Sequence, residues 1–197
     1  MNLTRLAVLP LLLAGSSIAL ASGTAYADEY THHDPAGDVS AVKTRSSQPT
    51  PVSGHREVDA TLLHVKHGRA ALTLSVRLRG VPARAIILND ELRTPTQRIG
   101  LLALKKPARL GLTHTVTLFA ASGESIGCRR ATLDVRPARH LVTVTVPRAC
   151  LDRPAWVRVA ASTARFAKNG RSYFVDDANA PGIDSEALTF SRRIQVG

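Results

Sequence analysis

"ALTLSVRLR", Ala71 to Arg79, decides the fold. Leu72, Leu74, Val76 and Leu78 alternate with Thr73, Ser75, Arg77 and Arg79. Successive side chains of an extended chain point to opposite faces. A period of two therefore gives one apolar and one polar face, the mark of a half-buried strand. The preceding "EVDATLLHVKHG" runs into a His-Gly turn, so the two stretches predict a hairpin.

Working outward, the same reading predicts strands over 84–88 (RAIIL), 99–104 (IGLLAL), 112–120 (LTHTVTLFA), 131–136 (ATLDVR), 140–146 (HLVTVTV), 155–162 (AWVRVAAS) and 186–196 (EALTFSRRIQV). Gly, Pro and Ser clusters separate them at the spacing of a sandwich or barrel. No long segment repeats apolar residues at i, i+3, i+4 and i+7, so little helix is expected. The expected fold is all-β: a single antiparallel β-sandwich, immunoglobulin-like or jelly-roll-like, with one disulfide and long loops. Residues 43–56 (KTRSSQPTPVSGHR) are polar and lack periodicity, and they read as a loop. Residues 28–56 then form an N-terminal turn and polar loop, and 57–197 the sandwich.

Residues 1–27 read as a secretory signal peptide. Arg5 supplies the positive start, Leu6 to Leu20 an apolar core, and Ala25-Tyr26-Ala27 a cleavage site. Pro10, Gly15, Ser16 and Ser17 interrupt the apolar run, which is short of the ~20 residues that span a bilayer. The chain is therefore expected to be secreted after cleavage at Ala27, without a membrane span in the mature part. The formal charge is +11, and the segment removed carries one arginine and no acid, leaving +10. Arginine dominates that charge, and it occurs in short pieces such as Arg129-Arg130 and Arg192-Arg193. A solvated basic surface accounts for this; contact with anionic cell-wall polymers is the functional alternative. Nucleic-acid binding lacks its motifs and its interleaved aromatics.

Cys128 and Cys150 are the only cysteines, and an oxidising compartment would join them. Pairing Val135 with Val142 and Leu133 with Val144, around a turn near Ala138-Arg139, brings Cys128 opposite Ala149. That is one residue short of Cys150. Pro147 cannot donate to a ladder, so a bulge or bend there would absorb the slip.

The phrases "DPAGDV", "VDATLLHVKHGRAALTLSVRLR", "VTVPRACLDRPAWVRV" and "YFVDDA" resemble a group of secreted β-sandwich proteins of high-GC Gram-positive bacteria. The resemblance spans most of the chain after residue 27. It implies a sandwich and export, and it implies no activity. More distantly, an Asp-rich turn ahead of a sandwich resembles extracellular carbohydrate- or haem-binding sandwiches of the DOMON kind, whose ligand residues are not matched here.

Gly123-Glu124-Ser125-Ile126-Gly127 fits G-x-S-x-G, the nucleophile elbow of serine hydrolases, with Asp134 and His140 following in order. That elbow needs a strand, a tight turn and a helix. The residues after Ser125 are strand-like, so "ASGESIG" reads as a loop. A serine esterase using Ser125 is the alternative to the expected role, a non-catalytic binding or cell-surface module. Histidines suggest metal only weakly. His32-His33 adjoin a terminus, His64 and His67 fall on opposite strand faces, and His114 shares a face with Leu112, Val116 and Leu118 as a partly buried residue. Trp156, Phe119 and Phe190 sit in strand patterns and are expected in the core, while Tyr173-Phe174 could form a small patch.

In "DPAGDV", Asp34 and Asp38 flank a Pro-Ala-Gly turn. Asp176-Asp177 forms a second acidic pair, in what reads as a Gly/Pro-rich loop. The expectation is a turn without metal or other cofactor, in which Asp34 accepts backbone hydrogen bonds. The alternative is calcium held by Asp34, Asp38, Asp176 and Asp177, since calcium takes six to eight oxygens and is abundant outside cells. Nothing in the sequence says whether the two segments meet.

Overall fold

The computed structural model describes residues 28–45, 48–107, 114–168, 170–183 and 187–197. The signal-peptide reading of residues 1–27 and the placing of Leu112 fall outside them. Fourteen strands are described: β1 (Asp28–His32), β2 (Ser40–Lys43), β3 (Pro49–Pro51), β4 (Ala60–His67), β5 (Ala71–Leu78), β6 (Ile86–Arg93) and β7 (Arg98–Lys105). They continue as β8 (His114–Ala120), β9 (Ser125–Ile126), β10 (Thr132–Arg136), β11 (Leu141–Pro147), β12 (Trp156–Phe166), β13 (Ser172–Asp177) and β14 (Ile194–Gln195). Among the described residues the helical elements are short 3-10 turns, and no helix is long and apolar enough to cross a membrane.

Two antiparallel sheets pack face to face. One has the order β1-β4-β5-β11-β10. The other runs β3-β2-β13-β12-β6-β7-β8-β9, with β14 on Trp156 and Val157 at the start of β12. The predicted hairpin is β4-β5, and Leu72, Leu74, Val76 and Leu78 are buried as their alternation requires. The inner faces are aliphatic, with Leu63, Leu74, Leu88, Leu101, Val144 and Val159 all fully buried.

The predicted register of β10 and β11 is observed, Leu133 opposite Val144 and Val135 opposite Val142. Cys128 and Cys150 are bonded, with Cα atoms 5.7 Å apart. A 3-10 turn over Arg148–Leu151, directly after Pro147, takes up the one-residue slip. The two cysteines lie in the β9–β10 and β11–β12 connections, both of which cross between sheets.

Several expectations are corrected. The stretch 28–56 is not all loop, because β1 joins the first sheet and β2 and β3 join the second. β6 runs on through Asn89-Asp90-Glu91, with Asn89, Glu91 and Arg93 outward and Leu88 and Leu92 inward, so alternation outweighs their polarity. The last expected strand shrinks to Ile194–Gln195. Phe119, Trp156 and Phe190 are half-buried, because Phe119 and Trp156 alternate with the inward Leu118 and Val157 and Phe190 lies outside any strand. His114 is exposed, at the first position of β8 where the partner strand ends at Lys105.

Candidate metal centre

Residues 33–39 carry the chain from β1 in one sheet to β2 in the other. Residues 52–59 make the return crossing from β3 to β4. The turn in "DPAGDV" is built by Gly37, whose φ of +96° suits glycine, and its amide donates to both oxygens of Asp59 at 3.1 and 3.0 Å. Asp59 is fully buried and also pairs with Arg79 at 2.8 Å. β4 begins with a register shift between Ala60 and Leu62. Such bulges often re-aim groups beside functional sites. Here the Ala60 amide points at Asp176 and donates to its Oδ2 at 2.7 Å.

Asp176 and Asp177 end β13 and are not in a loop. Adjacent strand residues face opposite ways. Asp176 is opposite Thr163 and Asp177 opposite Ser162 on β12. Asp176 thus looks in between the sheets, where a carboxylate oxygen from each of Asp34, Asp38 and Asp176 lies within 4.8 Å of the others. Asp177 departs from the predicted set. Its Oδ1 accepts the Asn179 amide at 3.0 Å and its Oδ2 the Thr189 amide at 2.8 Å, so both oxygens are occupied by backbone.

The remaining hydrogen bonds of the cluster are few. Asp38 Oδ2 accepts from the Gly182 amide at 2.7 Å. Both oxygens of Asp34, Oδ1 of Asp38 and Oδ1 of Asp176 are buried without a partner. Asp34 is 7% exposed and Asp176 0%. The expected Asx-turn therefore does not form at Asp34, whose side chain accepts no hydrogen bond.

An ionised carboxylate without a partner is among the costliest groups to bury. Without a cation, burial pushes the Asp34 carboxyl up to about 9, and the charges of Asp176, Asp38, Asp177 and Asp59 add to the rise. Asp176 is pushed up to about 8 by burial, with the Ala60 amide opposing and Asp38 and Asp59 reinforcing. Burial also raises Asp59 and Asp177, against the amides and the arginine that serve them. The four unpartnered acceptors are all carboxylate oxygens. Such hard donors suit calcium, whose oxygens stand at roughly 2.3–2.6 Å and so up to about 5 Å apart across one ion.

The other candidates do not converge. Ser125 lies within β9, paired with β8 in the nine-stranded sheet, while Asp134 and His140 belong to the β10–β11 hairpin of the other. Asp134 is exposed and bound to Arg136 at 2.6 Å. His67 is buried, its Nδ1 3.0 Å from the Ile194 carbonyl, whereas His64 faces outward near Glu29. Phe174 stacks on His55 with ring centres 3.6 Å apart, while Tyr173 meets the exposed Phe166 edge-on at 6.2 Å, so the two adjacent rings do not form one patch. Asp59, beside the cluster, was not singled out by the sequence; the D-x-x-x-D of the turn carries no signal for a partner 21 residues on. Comparison with family models, curated proteins and solved structures finds no match to this chain.

Proposed function

We propose that this protein is an exported β-sandwich that acts by binding and not by catalysis, and that Asp34, Asp38 and Asp176 hold a calcium ion which fastens its two sheets. The observation that carries this reading is the convergence of three carboxylates, one oxygen from each of Asp34, Asp38 and Asp176 within 4.8 Å of the others, in residues that leave four buried carboxylate oxygens unpartnered. Arg79, the arginine that pairs with the neighbouring Asp59 at 2.8 Å, makes no ion pair with Asp34. Calcium fits better than zinc, because the converging donors are all carboxylate oxygens, with no nitrogen or sulfur among them. Export supplies both the cation and the oxidising conditions for the Cys128–Cys150 bond, and the signal-like residues 1–27 support it.

Isothermal titration calorimetry of the protein from residue 28 onward, stripped with chelator, tests the reading. One calcium per chain is expected, with a Kd in the range of extracellular modules, about 10⁻⁴–10⁻³ M. Asp38→Asn should abolish the binding heat while Asp177→Asn retains a site. Absence of any calcium heat at pH 8 in the parent protein would overturn the proposal.

A further inference from the structure

The outer face of the nine-stranded sheet carries four arginines in a line. On adjacent strands, Arg98 of β7 stands directly opposite Arg93 of β6, and Arg93 directly opposite Arg158 of β12. On the other side of β12, Ile194 pairs with Val157 and Gln195 with Trp156. Beyond these pairs the register slips, the Ser191 amide donating to the Val159 carbonyl at 2.8 Å, and Arg193 lines the same groove as the other three arginines. Like charges directly opposite one another weaken a sheet, so two consecutive cross-strand matches are not an arrangement that stability favours.

The aromatics of this face hold the arginines in place without neutralising them. Arg93 lies over the Phe190 ring at 4.0 Å and Arg158 over the same ring at 5.6 Å, while Arg193 lies over Trp156 at 4.6 Å. Stacking uses the face of a guanidinium and leaves its in-plane N–H groups free to donate. Arg158 spends only Nε, on the Ser191 carbonyl at 2.9 Å. Among the described residues one carboxylate answers the row. Glu91 takes Arg98 through two bonds of 2.8 Å and Arg93 through one of 3.2 Å. Three positive charges remain over a groove of about 690 Å³, which Thr94, Thr96 and Ser122 also line with hydroxyls.

We infer that this arginine ladder binds a phosphate-bearing linear polymer lying across the strands. Strands stand about 4.8 Å apart, so the row offers a cation at each step over roughly 15 Å. A polymer with repeating anions matches that spacing, whereas a single small anion would meet only part of it. Phosphate fits better than carboxylate for a geometric reason. The guanidiniums come from three strands and the C-terminal segment, and are tilted by stacking on two different rings. The oxygens of a tetrahedral phosphate point out of any one plane and can accept from donors in several planes, while the acceptor sites of a carboxylate lie in a single plane. The inference is independent of the calcium centre, and its test is run in chelator so that no bridging cation contributes.

Binding of the protein to immobilised poly(glycerol phosphate) is measured at several salt concentrations. Binding is expected to weaken steeply with salt, as for contacts between exposed charges. Arg158→Ala/Arg193→Ala should lose about a hundredfold in Kd, about tenfold per arginine. Arg136→Ala/Arg139→Ala, on the other sheet and with the same loss of charge, should change Kd less than about threefold. Arg98→Ala/Arg193→Ala gives a second ladder variant that leaves the Arg158–Ser191 contact intact. Equal losses in ladder and control variants would overturn the inference, as would no binding by the parent protein. Equally tight binding to polygalacturonate, a carboxylate polymer, would overturn the preference for phosphate. Tighter binding to single-stranded DNA than to poly(glycerol phosphate) would mean that bases contribute, and would overturn the reading of the ladder as a site for backbone phosphate alone.

Discussion

Asp34→Asn separates a cation site from an ordinary turn by the sign of its effect. Without calcium at pH 7, the parent protein must keep Asp34 protonated in the fold, where its pKa is about 9, although the unfolded carboxyl titrates near 3.8. Each unit of difference is worth 1.36 kcal/mol, so holding that proton at pH 7 costs on the order of 4 kcal/mol of stability. Asparagine has a similar shape and no such cost. In chelator the variant should therefore be the more stable protein, by a few kcal/mol and about 10 °C in melting temperature for a chain of this size. With calcium the gap narrows. At ten to a hundred times Kd, binding adds about 1.4–2.7 kcal/mol to the parent, and asparagine should add little because the ligand charge has fallen. The assay is differential scanning calorimetry of both proteins, in chelator and in about 10 mM calcium, the upper end of the concentrations such sites need. A parent protein insensitive to calcium, together with an Asp34→Asn variant less stable in chelator, would refute the reasoning and return Asp34 to a structural turn.

Other outcomes follow from the same structure. In chelator, Asp34 and Asp176 have folded pKa values of about 9 and about 8, above the unfolded 3.8, so the folded state binds more protons. Stability should then fall as pH rises from about 4 to 9 and level off beyond; urea midpoints across that range measure it, and a rise would be the wrong sign. The Cys128–Cys150 bond spans 22 residues and contributes about 3 kcal/mol by chain entropy; denatured, unreduced protein should show no free thiol, and reduction should lower the urea midpoint. Asp90 is buried between Leu88 and Leu92 on the inner face of β6 with neither oxygen partnered, so Asp90→Leu should raise stability by about 1–2 kcal/mol in equilibrium unfolding. Ser125, exposed in β9, should take no label from a fluorophosphonate probe.

The hairpin and the β10–β11 register were legible because alternation is local: Leu72, Leu74, Val76 and Leu78 need one apolar face whatever the rest of the chain does. The disulfide followed from two facts equally local, a pair of cysteines and a pairing register that brings them within a residue. What stayed hidden was non-local or masked by polarity. "KTRSSQPTPVSGHR" looks like loop, yet Pro49–Pro51 pairs with β2 at a sheet edge, where a proline's missing N–H costs nothing. Asn89-Asp90-Glu91 looks like a strand end, yet β6 lies between β12 and β7 and carries on because both neighbours continue beside it. The arginine row was invisible for the same reason, since Arg93, Arg98, Arg158 and Arg193 align only once three registers are known.

The acid centre shows where local reading of a site stops. "DPAGDV" and "YFVDDA" each carry two acids, and turn chemistry explains either alone. Which acid lacks partners depends on strand parity and on crossovers. Asp177 falls on the opposite face of β13, still buried but satisfied by backbone amides, and Asp176 faces between the sheets, where the Ala60 amide reaches only one of its oxygens. The positions of the two fasteners along β5 then make sense together. Pro147, beside the Cys150 turn, pairs with Ala71 at one end of that strand, and Arg79, which holds Asp59, follows the other. A disulfide ties two inter-sheet connections covalently at the first end. At the second, the crossovers bring carboxylates together that repel one another and lack partners, so that end is held well only when something positive sits among them. Protons can do so at acid pH, and at neutral pH the proposed calcium would do it without the cost of keeping buried acids protonated. On the proposed reading, closure of that end depends on its surroundings, while the aliphatic core and the disulfide hold the rest of the sandwich without such a condition.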